Sequence, residues 1–137
     1  MTLSQSFVKF LEGKGYGVFG QNIYLYRVPN SKKTETEILW LIPTGGYPSR
    51  TNRTGEMIKA YQILIYYRSN SAKKVDEVMN DLEETLNCSQ CVNLEGFELV
   101  GIRATQLPAD QDLDTENRMV GVITVQLEVY KSCEEES

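Results

Sequence analysis

The order of apolar patterns along the chain predicts an α+β fold. It is a single domain with a mostly antiparallel β-sheet of about four to five strands, an N-terminal helix, and one longer helix at about 71–87 packed on the sheet. Three observations carry this reading. The stretch Ser71–Asn87 repeats its apolar side chains at helical spacing. Several short runs rich in branched and aromatic residues alternate along the chain as strands do. With 137 residues, 41% hydrophobic and 24% charged, the chain has the size and composition of one globular unit, 1–137, whose core needs no disulfide or metal staple.

The first element runs from Leu3 to Glu12. Leu3, Phe7, Phe10 and Leu11 share a helical face, Thr2 or Ser4 is available as a cap, and Gly13, Gly15 and Gly17 stop the helix. Ile23–Val28 and Glu37–Ile42 read as two strands joined by the polar cluster from Pro29 to Thr34, the signature of a hairpin, with Pro43 ending the second strand. From Thr44 to Glu56 the chain is polar and broken by Gly45, Gly46, Pro48 and Gly55, so a long loop is expected. Tyr61–Arg68 places Tyr61, Ile63, Ile65 and Tyr67 on one face and Gln62, Leu64, Tyr66 and Arg68 on the other. Apolar area on both faces assigns this strand to the middle of the sheet.

The long helix puts Val75, Val78, Met79, Leu82 and Leu86 on one stripe and its charges off it, so that stripe is core rather than a cofactor box. Ser69 or Ser71 caps it. Cys88–Gly96 links to two further strands, Phe97–Leu107 and Met119–Tyr130, separated by a second long loop at Pro108–Asn117. Residues 132–137 form an acidic, frayed tail.

Composition narrows the chemistry. The chain contains no histidine, which removes the usual general acid–base, the Ser–His and Cys–His nucleophile pairs and the commonest zinc ligand. No paired acids sit on faces where catalysis would be predicted, so the reading is of a protein that is not an enzyme and has neither cofactor nor metal. Cys88-Ser-Gln-Cys91 is a lone Cys-x-x-Cys pair at a helix C-terminus, where the dipole has the wrong sign for a reactive thiolate. An odd count of three cysteines suits free structural thiols in a reducing compartment. No run approaches the apolar length of a membrane span, and residues 1–20 lack the pattern of a targeting segment.

The net charge of −5 is an average. Glu134, Glu135 and Glu136 supply three of the 19 acidic side chains, and the remainder of the chain stands near −2. Arg50 and Arg53, with Lys59 beyond, make the 44–56 loop basic, whereas Asp110, Asp112, Asp114 and Glu116 make the 108–118 loop acidic. The glycines of the first loop lack the Gly-Lys-[Ser/Thr] of a phosphate cradle, and the acids of the second lack the central glycine and twelfth-position Glu of a calcium loop. Both therefore read as surface loops. As candidate protein contacts they single out Tyr47, Arg50, Arg53, Asp110, Asp112 and Asp114, with opposite charges able to meet between copies.

The whole pattern resembles the small minor capsid and tail-terminator proteins of long-tailed bacteriophages. The resemblance lies in the opening helix, the glycine-rich 13–20 stretch and the strand at Asn22–Tyr26. It continues through Pro43-Thr-Gly-Gly-Tyr47, the strand Tyr61-Gln-Ile-Leu-Ile-Tyr-Tyr-Arg68 leading into Ser71-Ala-Lys-Lys-Val75, and the closing pair of strands. It implies a structural role in head–tail joining: a ring, commonly a hexamer, at the head-proximal end of the tail, meeting the tail tube protein and the head connector. It implies a virion component assembled in the host cytoplasm, with DNA passing through the ring, no sequence-specific nucleic-acid contact and no membrane. The acidic tail and the cysteine pair are not part of that pattern. The alternative from the residues is a monomeric bacterial adaptor that uses the same two loops on another protein.

Overall fold

A computed structural model describes residues 2–28, 37–51, 57–88, 92–106 and 119–131. The chain begins with helix α1, Leu3–Gly13. Thr2 and Gln5 form a reciprocal cap: the Thr2 hydroxyl accepts from the Gln5 amide at 3.2 Å, and the Gln5 side chain accepts from the Thr2 amide at 2.9 Å. Strands β1 (Ile23–Leu25), β2 (Ile38–Thr51) and β3 (Met57–Ser69) follow. Helix α2 (Ala72–Asn87), capped by the Ser71 hydroxyl accepting from the Lys74 amide, leads to β4 (Phe97–Gln106) and β5 (Met119–Lys131). The sheet order is β1-β2-β3-β5-β4, so β3 holds the central place expected of it.

Two expectations from the sequence are corrected. The strands predicted over 23–28 and 37–42 do not form a hairpin: β1 is three residues long and pairs parallel to β2, with Ile23 opposite Leu39 and Leu25 opposite Leu41. Tyr26, in the left-handed region at φ 71°, breaks β1, and its amide donates to the Leu41 carbonyl at 2.7 Å. A parallel pair needs a connection of about a dozen residues, which the stretch between Leu25 and Ile38 supplies.

The second correction concerns the loop predicted over 44–56. Much of it is strand, because β2 runs through Pro43 to Thr51 and pairs with β3 down to Met57. Register shifts at Pro43/Gly46 and Pro48/Arg50 absorb the extra residues as bulges. The prolines that read as breakers are tolerated because β1 covers only Leu39–Leu41, leaving this half of β2 at the edge among the described strands. Residues 52–56 lie outside the described segments, as does the 107–118 loop and the 132–137 tail.

Both helices pack on one face of the sheet. Phe7 and Leu11 of α1 and Val75, Met79, Leu82 and Leu86 of α2 join a single buried cluster with Leu39, Leu41, Ile63, Ile65, Tyr67, Ile123 and Val125. The stripe expected of the long helix is thus core, although Val78 is only partly buried. Gly121 marks the closest approach, since a Cβ there would meet Met79 Cγ at 2.7 Å and Val75 Cγ1 at 2.8 Å. The N-terminal helix is tied to the chain after α2 by the Ser6 hydroxyl donating to the Glu95 carbonyl and by an exposed Lys9–Glu95 ion pair, both at 2.9 Å.

Candidate docking surface

Strand alternation sends every second side chain of β3 away from the helices. None of these even-numbered residues joins the buried cluster. In register, Trp40 on β2 lies opposite Tyr66 on β3 and Val122 on β5, and the next row is Ile42, Leu64 and Thr124. All six are only partly buried. Trp40 and Tyr66 stack with ring centroids 5.1 Å apart and planes 5° from parallel. The Arg68 guanidinium lies 5.8 Å from the centroid of the Trp40 ring, close enough for cation–π attraction. This ladder stiffens an apolar sheet face on which neither described helix packs.

The same face turns polar toward β4. Gln62, Gln126 and Arg103 lie side by side across β3, β5 and β4, beside the row Ala60, Glu128 and Gly101. Here the surface dips into an open hollow of about 460 Å³, which these six residues line together with Tyr61, Ile102 and Leu127. A register shift between Leu99 and Gly101 makes the bulge that borders it, with Val100 left exposed.

The sheet edges are guarded. The Asn87 side chain donates to the Ala104 carbonyl at 2.9 Å and accepts from the Ala104 amide at 2.8 Å, imitating a neighbouring strand. Glu83 accepts from the Gln106 amide at 3.3 Å, and the Gln106 side chain donates to Asn80 at 2.7 Å. At the other edge, Pro43 and Pro48 remove donors from β2 beyond the cover of β1. Edges blunted in these ways resist strand addition, which directs association to faces and corners.

Of the residues predicted from sequence as contacts, Tyr47 and Arg50 fall within β2, opposite Ala60 and Ile58 of β3. Arg53 lies outside the described residues, as do Asp110, Asp112 and Asp114. The flanking strands are described. The segment carrying Arg53 leaves β2 at Thr51 and enters β3 at Met57, whereas the acidic segment joins Gln106 of β4 to Met119 of β5. Because Met119 pairs with Ser69 and Val129 with Lys59, these two connections emerge at opposite ends of the sheet.

Another expectation is revised at Cys88, which is disulfide-bonded rather than a free thiol. Among the described residues no group of three or more Cys, Asp or Glu side chains is placed to hold a metal ion. No described helix is long and apolar enough to cross a membrane. Two tyrosines are strongly perturbed. Burial, and then its hydrogen bond to the Asp81 carboxylate, push Tyr16 up to about 12. Burial and then the charge of Glu37 push Tyr67 up to about 12. Both hold elements together, Tyr16 bridging the end of α1 to α2 through Asp81 and Thr85.

The aromatic ladder escapes a reading of isolated strands. Apolar residues on both faces of 61–68 signal a central strand, but only the cross-strand register pairs Tyr66 with Trp40. In comparison with known proteins, a family model described as bacteriophage tail terminator protein matches residues 10–131. No curated protein matches the chain.

Proposed function

The chain belongs to the bacteriophage tail terminator family, and from that premise we propose that it assembles into a ring, a hexamer, at the head-proximal end of a phage tail. In this reading the ring ends growth of the tail tube and offers the head connector a surface on which to dock, with DNA passing through its centre. The protein acts as a part of the virion and carries out no chemistry of its own.

The observation that carries this reading is the partly buried apolar face built on Trp40 and Tyr66, set against a sheet whose other face is covered by two helices. Large aromatic side chains held rigid on a surface supply contact area at low entropic cost, as protein interfaces require. The ends of the flanking strands support a polarity. Tyr47 and Arg50 lie in the part of β2 that pairs with Ala60 and Ile58, and the chain that carries Asp110, Asp112 and Asp114 leaves β4 after Gln106 and re-enters the sheet at Met119, opposite Ser69. In a ring with strands running between its two rims, the basic and acidic groups would face different partners, one the tube and one the connector.

Native mass spectrometry and negative-stain microscopy of the purified protein test this. A closed ring, or one formed on addition of the tail tube protein, is the expected result. A strict monomer that ignores the tube protein would refute it and favour a monomeric adaptor. Reversing Arg50 and Arg53 to Glu is expected to weaken assembly or tube binding, and an unchanged oligomer mass with unchanged tube binding argues against their role.

A further inference from the structure

We propose that copies of this chain join head to tail through two corners of the sheet. Val18 and Phe19 beside β1 of one copy seat in the hollow beside Val100 on β4 of the next. This rests on the ring reading above and names the surface that closes it.

Three of the exposed large hydrophobic residues, Val18, Phe19 and Tyr26, cluster around β1, with Phe19 51% and Tyr26 64% exposed. Another, Val100, stands at the bulge of β4. These are opposite edges of one sheet. They are also opposite ends: Phe19 bridges to Ile23, in the row of Leu39, Tyr67 and Gly121, whereas Gly101 is in the row of Ala60 and Glu128.

The protruding corner is held rigid. The Val18 amide donates to Asn22 Oδ1 at 2.7 Å and the Phe19 amide to Glu12 Oε2 at 3.0 Å. The Val18 carbonyl accepts from the amides of Gln21, Asn22 and Ile23. Apolar side chains displayed on a loop tied at so many points lose little freedom on docking. The receiving corner offers open space and, in Arg103 beside Glu128, a cation at its rim. Its hollow opens over Gly101, where a Cβ would meet nothing within 4 Å. Arg103, exposed at its rim, is the counterpart of the Glu12 carboxylate that holds Phe19. Because protrusion and hollow are different surfaces, the contact is heterologous and closes into a ring by repeated rotation rather than stopping at a dimer. Their diagonal placement inclines the strands to the axis of that ring.

Amide-resolved NMR across a dilution series from about 1 mM to 20 μM, alongside sedimentation, tests the inference, with two variants chosen to spare the fold. Phe19→Ser removes the protrusion, and Gly101→Gln fills the hollow. Val18→Gln replaces the first variant if its melting curve shows loss of folding. Wild-type shifts confined to residues near Phe19 and near Gly101 are expected, with each variant associating at least about tenfold more weakly. An equimolar mixture of the two variants then yields a dimer that grows no further, since each retains one competent surface. Variants that associate like the wild type, or concentration-dependent shifts elsewhere, overturn this contact while leaving the ring reading standing. A wild-type spectrum unchanged across the whole range, with no sedimenting oligomer, overturns this contact as one the free protein makes, and the same measurement with the tail tube protein added decides the ring reading separately.

Discussion

Replacing Asn87 with Ala isolates the device that closes the β4 edge. Its side chain makes two hydrogen bonds to the main chain of Ala104, at 2.9 and 2.8 Å, in a partly buried setting. Each neutral bond of this kind contributes about 0.5–1.5 kcal/mol net, and the freed amide and carbonyl lose their partner. The expected loss is about 2 kcal/mol, which for a domain of this size lowers the melting temperature by roughly 6–8 °C. Asn87→Asp keeps an acceptor for the Ala104 amide but loses the donor, so it should fall between wild type and Ala. Urea denaturation gives the free energies, and sedimentation at high concentration shows whether the opened strand recruits a second sheet. A loss below about 0.5 kcal/mol for Ala, with Asp the more damaging of the two, would refute the idea that these two bonds close the edge.

Other outcomes follow from the same geometry. Leu82→Ala, at a fully buried position, should destabilise by about 2–5 kcal/mol in urea titrations, the range for a cavity in a closed core. Gly121→Ala should cost about 1–3 kcal/mol, because its methyl would press on Val75 and Met79, while Gly101→Ala, with open space above it, should be nearly neutral. Tyr16 and Tyr67 are both pushed up to about 12. Their contribution to stability is therefore complete below pH 10 and lost as pH rises through 12. Absorbance titration should show Tyr16 and Tyr67 ionising late, together with unfolding. Thiol titration without reductant should find one reactive cysteine of the three, since Cys88 is bridged.

What could be read from the residues, and what could not, divides along physical lines. Both helices announce themselves through a repeat that depends on neighbours along the chain, and their extents agree closely with expectation. The centrality of 61–68 was legible for a similar reason: apolar side chains on both faces must be covered or used. The parallel pairing of β1 was not legible, because strand direction is decided by partners distant in sequence and by a left-handed turn at Tyr26, a residue with no special preference for it. Pro43 and Pro48 misled because a proline ends a strand only where a neighbour needs its missing donor, and the outer side of β2 lacks a described partner there. For the candidate site, sequence found charge and not shape. It gave Arg50, Arg53 and the aspartates their sign, but the Trp40–Tyr66 stack, the hollow over Gly101 and the tethering of Phe19 exist only once strands are side by side.

The strand order β1-β2-β3-β5-β4 carries a consequence for how the chain is made. Of the described strands, β5 lies between two that precede it in the chain, so β3 and β4 share no hydrogen-bonded ladder without it. Until Met119–Lys131 emerges, the β2–β3 pair and β4 are joined through α2, which packs against both, and not through the sheet. Completion waits on one long-range insertion, the kind of step that places folding in milliseconds to seconds rather than microseconds. A chain truncated before residue 119 therefore lacks the strand that joins β3 to β4 and should not complete the sheet.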